Sequence, residues 1–444
     1  MIEILEMPVE TLFLFIHDLL DRGGALIDRL LPLWPDRFAR MFWAFIFLEV
    51  PRYLLTDFYV LFQVLLRRER RPLDAELTDF PLVSVILPAL NEEQTIAYTI
   101  RSLLHQDYPN LEIIVVDDGS TDQTPEICQN FANQGLIRFF RLQTRQGKSA
   151  ALNHGLKAAR GEFIVFMDTD STLDRHAIRN LIPYFADERI GAVSGTLRVR
   201  NPHVNLLTKL QTIEYLISIM VGRYFRGAMG ILSIVPGAFG AFRRDLLARI
   251  GGHEPGPGND SDLTIRTRKL RKQVAFAPTA ICLTNVPHNL RRLIKQRMRW
   301  NRNIIRNRLR KHKDTYNIFL AHFSLSNLVS FVDTIFFAVF LSLVWLVYFI
   351  DIILHYPNWY TKILLINYFL HLSAKLLQFL IALIISERKG EYISLVFYLP
   401  LFELYRMLFL KLIRIAALLQ ELFFRWSYRD PFAPEKVRNQ IEVY

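Results

Sequence analysis

The sequence predicts an α/β domain, a mostly parallel sheet covered by helices, set between membrane-seeking segments. Three observations predict it. Short apolar strands alternate with helical stretches from about Pro81 to Tyr316, the pattern of a parallel sheet wrapped by helices. Polar clusters directly follow three of those strands. Apolar residues make up 51% of 444 positions, and the longest apolar runs lie outside this region, long enough to cross a bilayer.

Taken in order, Val83–Leu87 is a short apolar strand and Asn91–Gln106 a helix. Leu111–Val116 is a strand ending at Asp117-Asp118-Gly119-Ser120. A helix over Thr124–Gly135, a strand near Ile137–Leu142 and a helix over Lys148–Ala159 follow. Phe163–Met167 is a strand ending at Asp168. In such sheets ligands bind at the carboxyl ends of the strands.

Outside this domain, Val329–Ile350 carries one charge, Asp333, and is long enough to span. Ile363–Ile385 is a second candidate span, interrupted by His371 and Lys375. Phe42–Leu66 is a third, interrupted by Glu49, Pro51, Arg52 and Asp57. The basic run Arg67, Arg68, Arg70 and Arg71 marks its cytoplasmic end. The loop at Glu387–Lys389 then falls on the same side as the α/β domain. Two more segments are amphipathic. Glu403, Arg406, Lys411, Arg414, Glu421 and Arg425 share an arc of roughly 140° at helical spacing. Glu6, Glu10, His17, Asp18, Asp21, Asp28 and Arg29 share a face near the start. Such helices lie in an interface or dock on the globular domain. The expected organisation is an amphipathic helix and span over 1–70, the α/β domain over 81–316, spanning and interfacial helices over 327–425, and a tail over 426–444.

Lys and Arg number 54 against 42 Asp and Glu, a net charge of +12. That balance favours phosphate-rich ligands or an anionic membrane face. No zinc-finger, RRM or basic-zipper pattern accompanies it, so no nucleic-acid partner is expected. Cys128 and Cys282 are far apart and support neither a disulfide framework nor a zinc cluster. The acidic start, with Glu3, Glu6 and Glu10, lacks the positive region of a secretory signal peptide.

Five clusters carry chemistry. Pro88-Ala89-Leu90-Asn91-Glu92-Glu93 follows the first strand; Asn91 suits a helix cap and the glutamates its positive end. Asp117 and Asp118 end the second strand, where carboxylates can accept from a nucleobase N–H or ribose hydroxyls; a capped turn has the same residues. Asp168-Thr169-Asp170 places two carboxylates at a strand end, which suits Mg²⁺ or Mn²⁺ with phosphate oxygens and water completing the shell. Asn259-Asp260-Ser261-Asp262 follows the loop HEPGPG, where a carboxylate can serve as general base or as a helix cap. Gln296-Arg297-Met298-Arg299-Trp300 offers guanidinium donors for phosphate and an indole face for a sugar ring, or a basic face for headgroups.

In this order the clusters resemble those of processive inverting glycosyltransferases of family 2. The likeness is greatest to bacterial poly-N-acetylglucosamine synthases, whose segments TKLQTIEY and PGAFGAFRRDLL resemble, and hyaluronan, chitin and cellulose synthases share the plan. The resemblance implies a GT-A fold, Rossmann-like, on the cytoplasmic face of a plasma (bacterial inner) membrane. It implies donor binding by Pro88, Ala89, Asn91, Glu92, Asp117, Asp118, Lys148, Asp168 and Asp170. Asp168 and Asp170 would hold Mg²⁺ or Mn²⁺, and Asp260 would deprotonate the acceptor. Gln296, Arg297, Arg299 and Trp300 would close over the diphosphate and the acceptor. The implied donor is a UDP-sugar, UDP-GlcNAc or UDP-glucose; the acceptor is a glycan or lipid; membrane lipid and accessory export proteins are the implied partners. Asp333, His371, Lys375, Glu49 and Arg52 would line a translocation path.

Two positions depart from the family pattern. Asn259 stands where Glu usually precedes the base, and Asn301-Arg302-Asn303 follows Trp300 where a small residue and Gly are usual. Both lie near the acceptor. Single-sugar transfer to a lipid, and a non-catalytic nucleotide-binding or scaffold role, are therefore the competing expectations.

Overall fold

The computed structural model describes residues 41–66, 80–320, 323–386 and 388–429. The N-terminal amphipathic segment, the run Arg67–Arg71 and the tail beyond 429 lie outside the described residues.

An eight-stranded sheet forms the centre of the α/β region, in the order β3-β2-β1-β4-β7-β6-β8-β5. Its strands are β1 (Val83–Ala89), β2 (Leu111–Asp117), β3 (Arg138–Arg141), β4 (Phe163–Met167), β5 (Ser171–Leu173), β6 (Ile190–Val199), β7 (Phe239–Arg243) and β8 (Gln273–Thr284). The half built from β3, β2, β1 and β4 is parallel. Alternation explains why those strands are continuously apolar. Val83, Val85, Leu87, Val115 and Val165 face one core, whereas Ile86, Ile114, Val116, Ile164 and Phe166 face another. A strand covered by helices on both faces needs apolar residues at every position.

The parallel pairing sets the site. Ala89 is opposite Asp117, and β4 runs beside β1 in the same direction. Three polar strand ends therefore emerge on one edge. β7 is antiparallel to β4, with Phe239 opposite Met167, so its first residue reaches the same edge.

Besides four short helices, at Ala177–Leu181, Arg244–Ile250, Lys389–Tyr392 and Leu399–Leu404, the described residues form α1 (Val50–Leu65), α2 (Ile96–Leu104), α3 (Thr124–Asn133), α4 (Lys148–Ala158), α5 (Leu206–Glu214), α6 (Gly222–Ala228), α7 (Asn259–Lys269), α8 (Leu290–Ile304), α9 (Leu325–Ile335), α10 (Leu341–His355), α11 (Tyr360–Ile385) and α12 (Lys411–Phe424). Two boundaries differ from expectation. The first helix starts at Ile96, not Asn91, because Asn91 takes a left-handed φ of 55° and its backbone N–H is held by Ser120. The acidic cluster at 259–262 is the first turn of α7 rather than a loop. Gly258, at φ 80°, turns the chain, and its carbonyl accepts the Asp262 N–H.

Two helical stretches are long and apolar enough to cross a membrane, Leu325–His355 and Tyr360–Ile385, with mean hydropathy 2.5 and 1.8. Phe42–Leu66 is helical but is not among them. The C-terminal amphipathic segment docks its charged face inward. Glu421 is fully buried and pairs with Arg310 at 2.7 Å; Glu403 is fully buried beside Arg406. The loop after α11 touches the α/β region through Arg388 and Asp174, 3.2 Å apart.

Gly195 on β6 has no room for a side chain: an added Cβ would sit 2.1 Å from the Phe239 ring. Gly195→Ala is expected to destabilise by about 1–3 kcal/mol, measured as a lowered thermal midpoint of the purified protein.

Candidate active site

The loops after β1 and β2 are fastened to each other. The Asn91 N–H donates to Ser120 Oγ at 2.9 Å, and Asn91 Oδ1 accepts the Thr121 N–H at 2.9 Å. The Glu92 N–H donates to Thr124 Oγ1 at 2.8 Å, the Glu93 N–H to Asp122 Oδ2 at 3.1 Å. Asn91 thus caps no helix; it joins two loops. The Glu92 carboxylate accepts from Thr95 Oγ1 at 2.7 Å. Burial, together with the nearby Asp170 and Asp168 carboxylates, raises its pKa.

Asp117 and Asp118 have internal partners. Asp117 is fully buried, accepts its own turn's Ser120 N–H at 3.2 Å, and pairs with Arg141 at 3.4 Å. Asp118 accepts from the backbone N–H of Gln146 at 2.6 Å and of Gly147 at 2.8 Å. This pins the loop that starts α4, where Gly147 takes φ 93°. The next residue is Lys148. Pro88 and Ala89 end β1, Ala89 fully buried.

Lys148 Nζ lies 2.5 Å from Asp168 Oδ1. Burial works to lower the ammonium pKa, but the carboxylates of Asp168 and Asp260 outweigh it and hold it raised. Asp170 accepts from Ser171 Oγ at 3.1 Å, and burial plus the Asp168 charge raise its pKa. Thr99 Oγ1 holds the turn by donating to the carbonyls of Thr169 and Ser171, at 2.7 and 2.8 Å. Asp168 and Asp170 offer hard oxygen donors that fit Mg²⁺ or Mn²⁺. Among the described residues no group of three or more His, Cys, Asp or Glu side chains could hold a metal, so ligand oxygens and water would complete the shell.

Asp260 meets this cluster from α7. It accepts the Gly237 N–H, and burial raises its pKa against the pull of Lys148. Gly237 must be glycine here, since a Cβ would lie 2.6 Å from Asp260 Oδ1. Asn259 turns to α4 and donates to Ser149 Oγ at 2.6 Å. Asp262 is buried in a separate network with Arg266 at 2.6 Å, Lys311 at 2.5 Å and His312 at 2.8 Å.

The residues of α8 divide between two faces. Arg299 acts electrostatically on both Asp260 and Lys148. Gln296 Oε1 is buried without a hydrogen-bond partner, an acceptor available to a ligand donor. Trp300 is 40% exposed. Arg297 stands apart: it is buried, pairs with Glu214 at 3.0 Å and lies over the Trp300 ring at 4.4 Å. Its guanidinium joins α8 to α5.

Arg223 on α6 was not singled out by sequence reasoning. Its guanidinium interacts with Asp260 and with buried Tyr215, while burial lowers its pKa to about 10. Its signal lay in the segment that follows TKLQTIEY, where an isolated Arg in an apolar run is costly without an anion.

With the geometry described, the relatives are informative. Residues 84–251 match glycosyl transferase family 2. That segment, under half of the chain, is similar to family 2 glycosyl transferases. Curated relatives agree. Over 220 residues it is 32% identical to a poly-beta-1,6-N-acetyl-D-glucosamine synthase of Staphylococcus epidermidis, covering 49% of this chain and 53% of the relative. Over 236 residues it is 33% identical to a probable glycosyltransferase of Bacillus subtilis, covering 51% and 56%. The chain thus spans about half the length of the curated relatives it matches. A mannosyltransferase from Pyrobaculum calidifontis, solved with GDP-Man and Mn²⁺, superposes with TM-score 0.55 at 22% identity, over 84% of this chain and 98% of that one. That likeness establishes the GT-A fold.

The cations around Asp262 outweigh its burial and hold its pKa well below the ordinary range. A depressed carboxylate adds stability above its unfolded pKa, about 4, and loses it as pH falls. Asp262→Asn is expected to cost about 3 kcal/mol at neutral pH. Thermal midpoints of variant and native protein, measured against pH, should converge as the solution is acidified below about pH 4.

Proposed function

We propose that the protein is a membrane-bound inverting glycosyltransferase that uses a UDP-sugar, UDP-GlcNAc or UDP-glucose, to elongate a β-linked polysaccharide. One observation carries this reading: Asp260 faces the Lys148–Asp168 pair across the edge where three strand ends converge. Inversion in a single displacement needs one base on the face opposite the leaving group and no second carboxylate nucleophile. Asp260 takes the proton from the acceptor hydroxyl as that oxygen bonds the anomeric carbon. The bond from the anomeric carbon to the diphosphate breaks, and UDP departs with its electrons. Lys148 and Arg299 stabilise the negative charge gathering on UDP. Asp168 and Asp170 would hold Mg²⁺ or Mn²⁺, which when bound offsets diphosphate charge. Asp118 positions Lys148 through the Gln146–Gly147 backbone, and Gln296 and Trp300 border the acceptor side.

The region over 81–316 is the catalytic domain in this proposal, held at the cytoplasmic face by the helices at 325–355 and 360–385. Export of the product through those helices belongs to the same proposal. Single-sugar transfer to a lipid is the second reading, favoured by Asn259, whose amide is bonded to Ser149 where the polymerising relatives' motif has an ionisable Glu.

The test is turnover by the purified full chain with a panel of UDP-sugars, Mn²⁺ and membrane lipid, reading UDP release and product size together. Release of UDP with a polymer supports the first reading, and a single-sugar lipid supports the second. Nucleotide binding without turnover on any donor contradicts both. Asp260→Asn is expected to lower kcat by about 10²–10⁴ while leaving UDP affinity within a few-fold. Because the base must be ionised and its pKa is raised by burial, the rate should fall toward acid, with a midpoint above the ordinary Asp value of about 4. Chelation by EDTA should abolish turnover, and Mn²⁺ should restore it.

A further inference from the structure

The loop before Asp260 reads HEPGPG, a composition that denies it a regular element. Pro255 and Pro257 have no N–H to donate, and Gly256 and Gly258 take φ 114° and 80°. Its carbonyls therefore draw on donors from elsewhere in the fold.

Those donors come from the helix that carries Gln296, Arg299 and Trp300. α8 runs on without a break into a π-helical stretch, Ile305–Lys311. Two buried side chains of that stretch reach the loop. Arg306 Nη1 donates to the Pro257 carbonyl at 2.7 Å. Asn307 Nδ2 donates to the Gly258 carbonyl at 2.9 Å and to Ser261 Oγ. Ser261 Oγ donates in turn to the Gly258 carbonyl at 3.1 Å. Helix and loop touch directly: a Cβ on Gly258 would lie 2.7 Å from Asn307 Nδ2 and 3.0 Å from Asn303 Cγ. Asp260 is thus bracketed, since the chain on both sides of it is tied to residues 306 and 307.

Gln296, Arg299, Asn303 and Asn307 follow one another at three, four and four residues, the spacing of one helical face. One end of that face borders the proposed acceptor space, and the other grips the loop of the proposed base about three turns on. On the opposite side Asn259 bonds Ser149 at 2.6 Å, one residue from Lys148. We propose that Arg306 and Asn307 are positioning residues for Asp260, fixing the base at a set distance from the acceptor face of α8. This role rests on the function proposed above; the contacts that anchor the loop do not.

The test uses the purified full chain and two readouts. The first, backbone amide exchange over residues 254–261, needs no substrate. Asn307→Leu, close in size but without a donor, should speed that exchange about tenfold. The second is steady-state turnover with UDP affinity recorded in parallel. Asn307→Leu should lower kcat about 10²-fold and leave UDP affinity within a few-fold. Arg306→Leu should act the same way, and Arg306→Lys, which keeps a donor for the Pro257 carbonyl, should recover most of the rate. Arg310→Gln is the control: Arg310 is on the same stretch but pairs with Glu421 at 2.7 Å, so its loss should lower the thermal midpoint and spare both exchange and kcat. If Asn307→Leu does not fold, Arg306→Leu carries the comparison. Native exchange and kcat in the leucine variants overturn the proposal. So does a loss in Arg310→Gln as large as in Asn307→Leu, because helix integrity and not the anchor would then set the rate. No turnover by the native protein on any donor, with exchange that still depends on Asn307 and not on Arg310, would refute the sugar-transfer reading and leave the anchor standing.

Discussion

Like charges forced onto one sheet edge are the constraint around which this molecule is built. Parallel pairing of β1, β2 and β4 brings Glu92, Asp168 and Asp170 to the same side, and α7 adds Asp260. Burial first, and the neighbouring carboxylates after it, raise the pKa values of Glu92, Asp170 and Asp260. Lys148 is the counter-charge, paired with Asp168 and facing Asp260. In the proposed reaction a divalent ion would offset this surplus negative charge and that of a diphosphate.

Much of the remaining polar sequence serves to keep that cluster in place. Asp118 orients Lys148 at one remove, through two backbone N–H groups. Asn91, Glu93, Ser120 and Asp122 fasten two loops that would otherwise splay under the repulsion. Gly237 brings a backbone N–H to Asp260 where a side chain would displace it. Asp262, two residues from the base, anchors α7 through a buried network with Arg266, Lys311 and His312. Motif residues therefore divide into those that face the ligand space and those that hold the first group still.

The strands and their order of appearance were legible in the sequence because a doubly covered sheet demands uninterrupted apolar runs, as in FIVFM and the strand around Ile113–Val116. The strand-end carboxylates were legible for the same reason, since polar residues stop those runs. Helix starts were less legible. Asn91 looked like a cap, yet its side chain bonds a loop 30 residues away, a tertiary contact that no local pattern carries. Arg297 looked like its neighbours in QRMRW, but about 200° of helical rotation over two residues turns it from Arg299's face into a buried pair with Glu214. Arg223 carried the signal of an Arg in an apolar run, but its interaction with Asp260, on a different element, was not legible. The charged face of the C-terminal segment was legible, while its docking depended on Arg310, distant in sequence.

The central claim is that Asp168 and its neighbours form a diphosphate site completed by a divalent ion. Calorimetric titration of UDP into native protein and Asp168→Asn, each with and without Mn²⁺, tests it directly. The account predicts that Mn²⁺ tightens UDP binding to the native protein and has little effect on the variant. Equal UDP affinity in all four titrations, with binding intact, would contradict it.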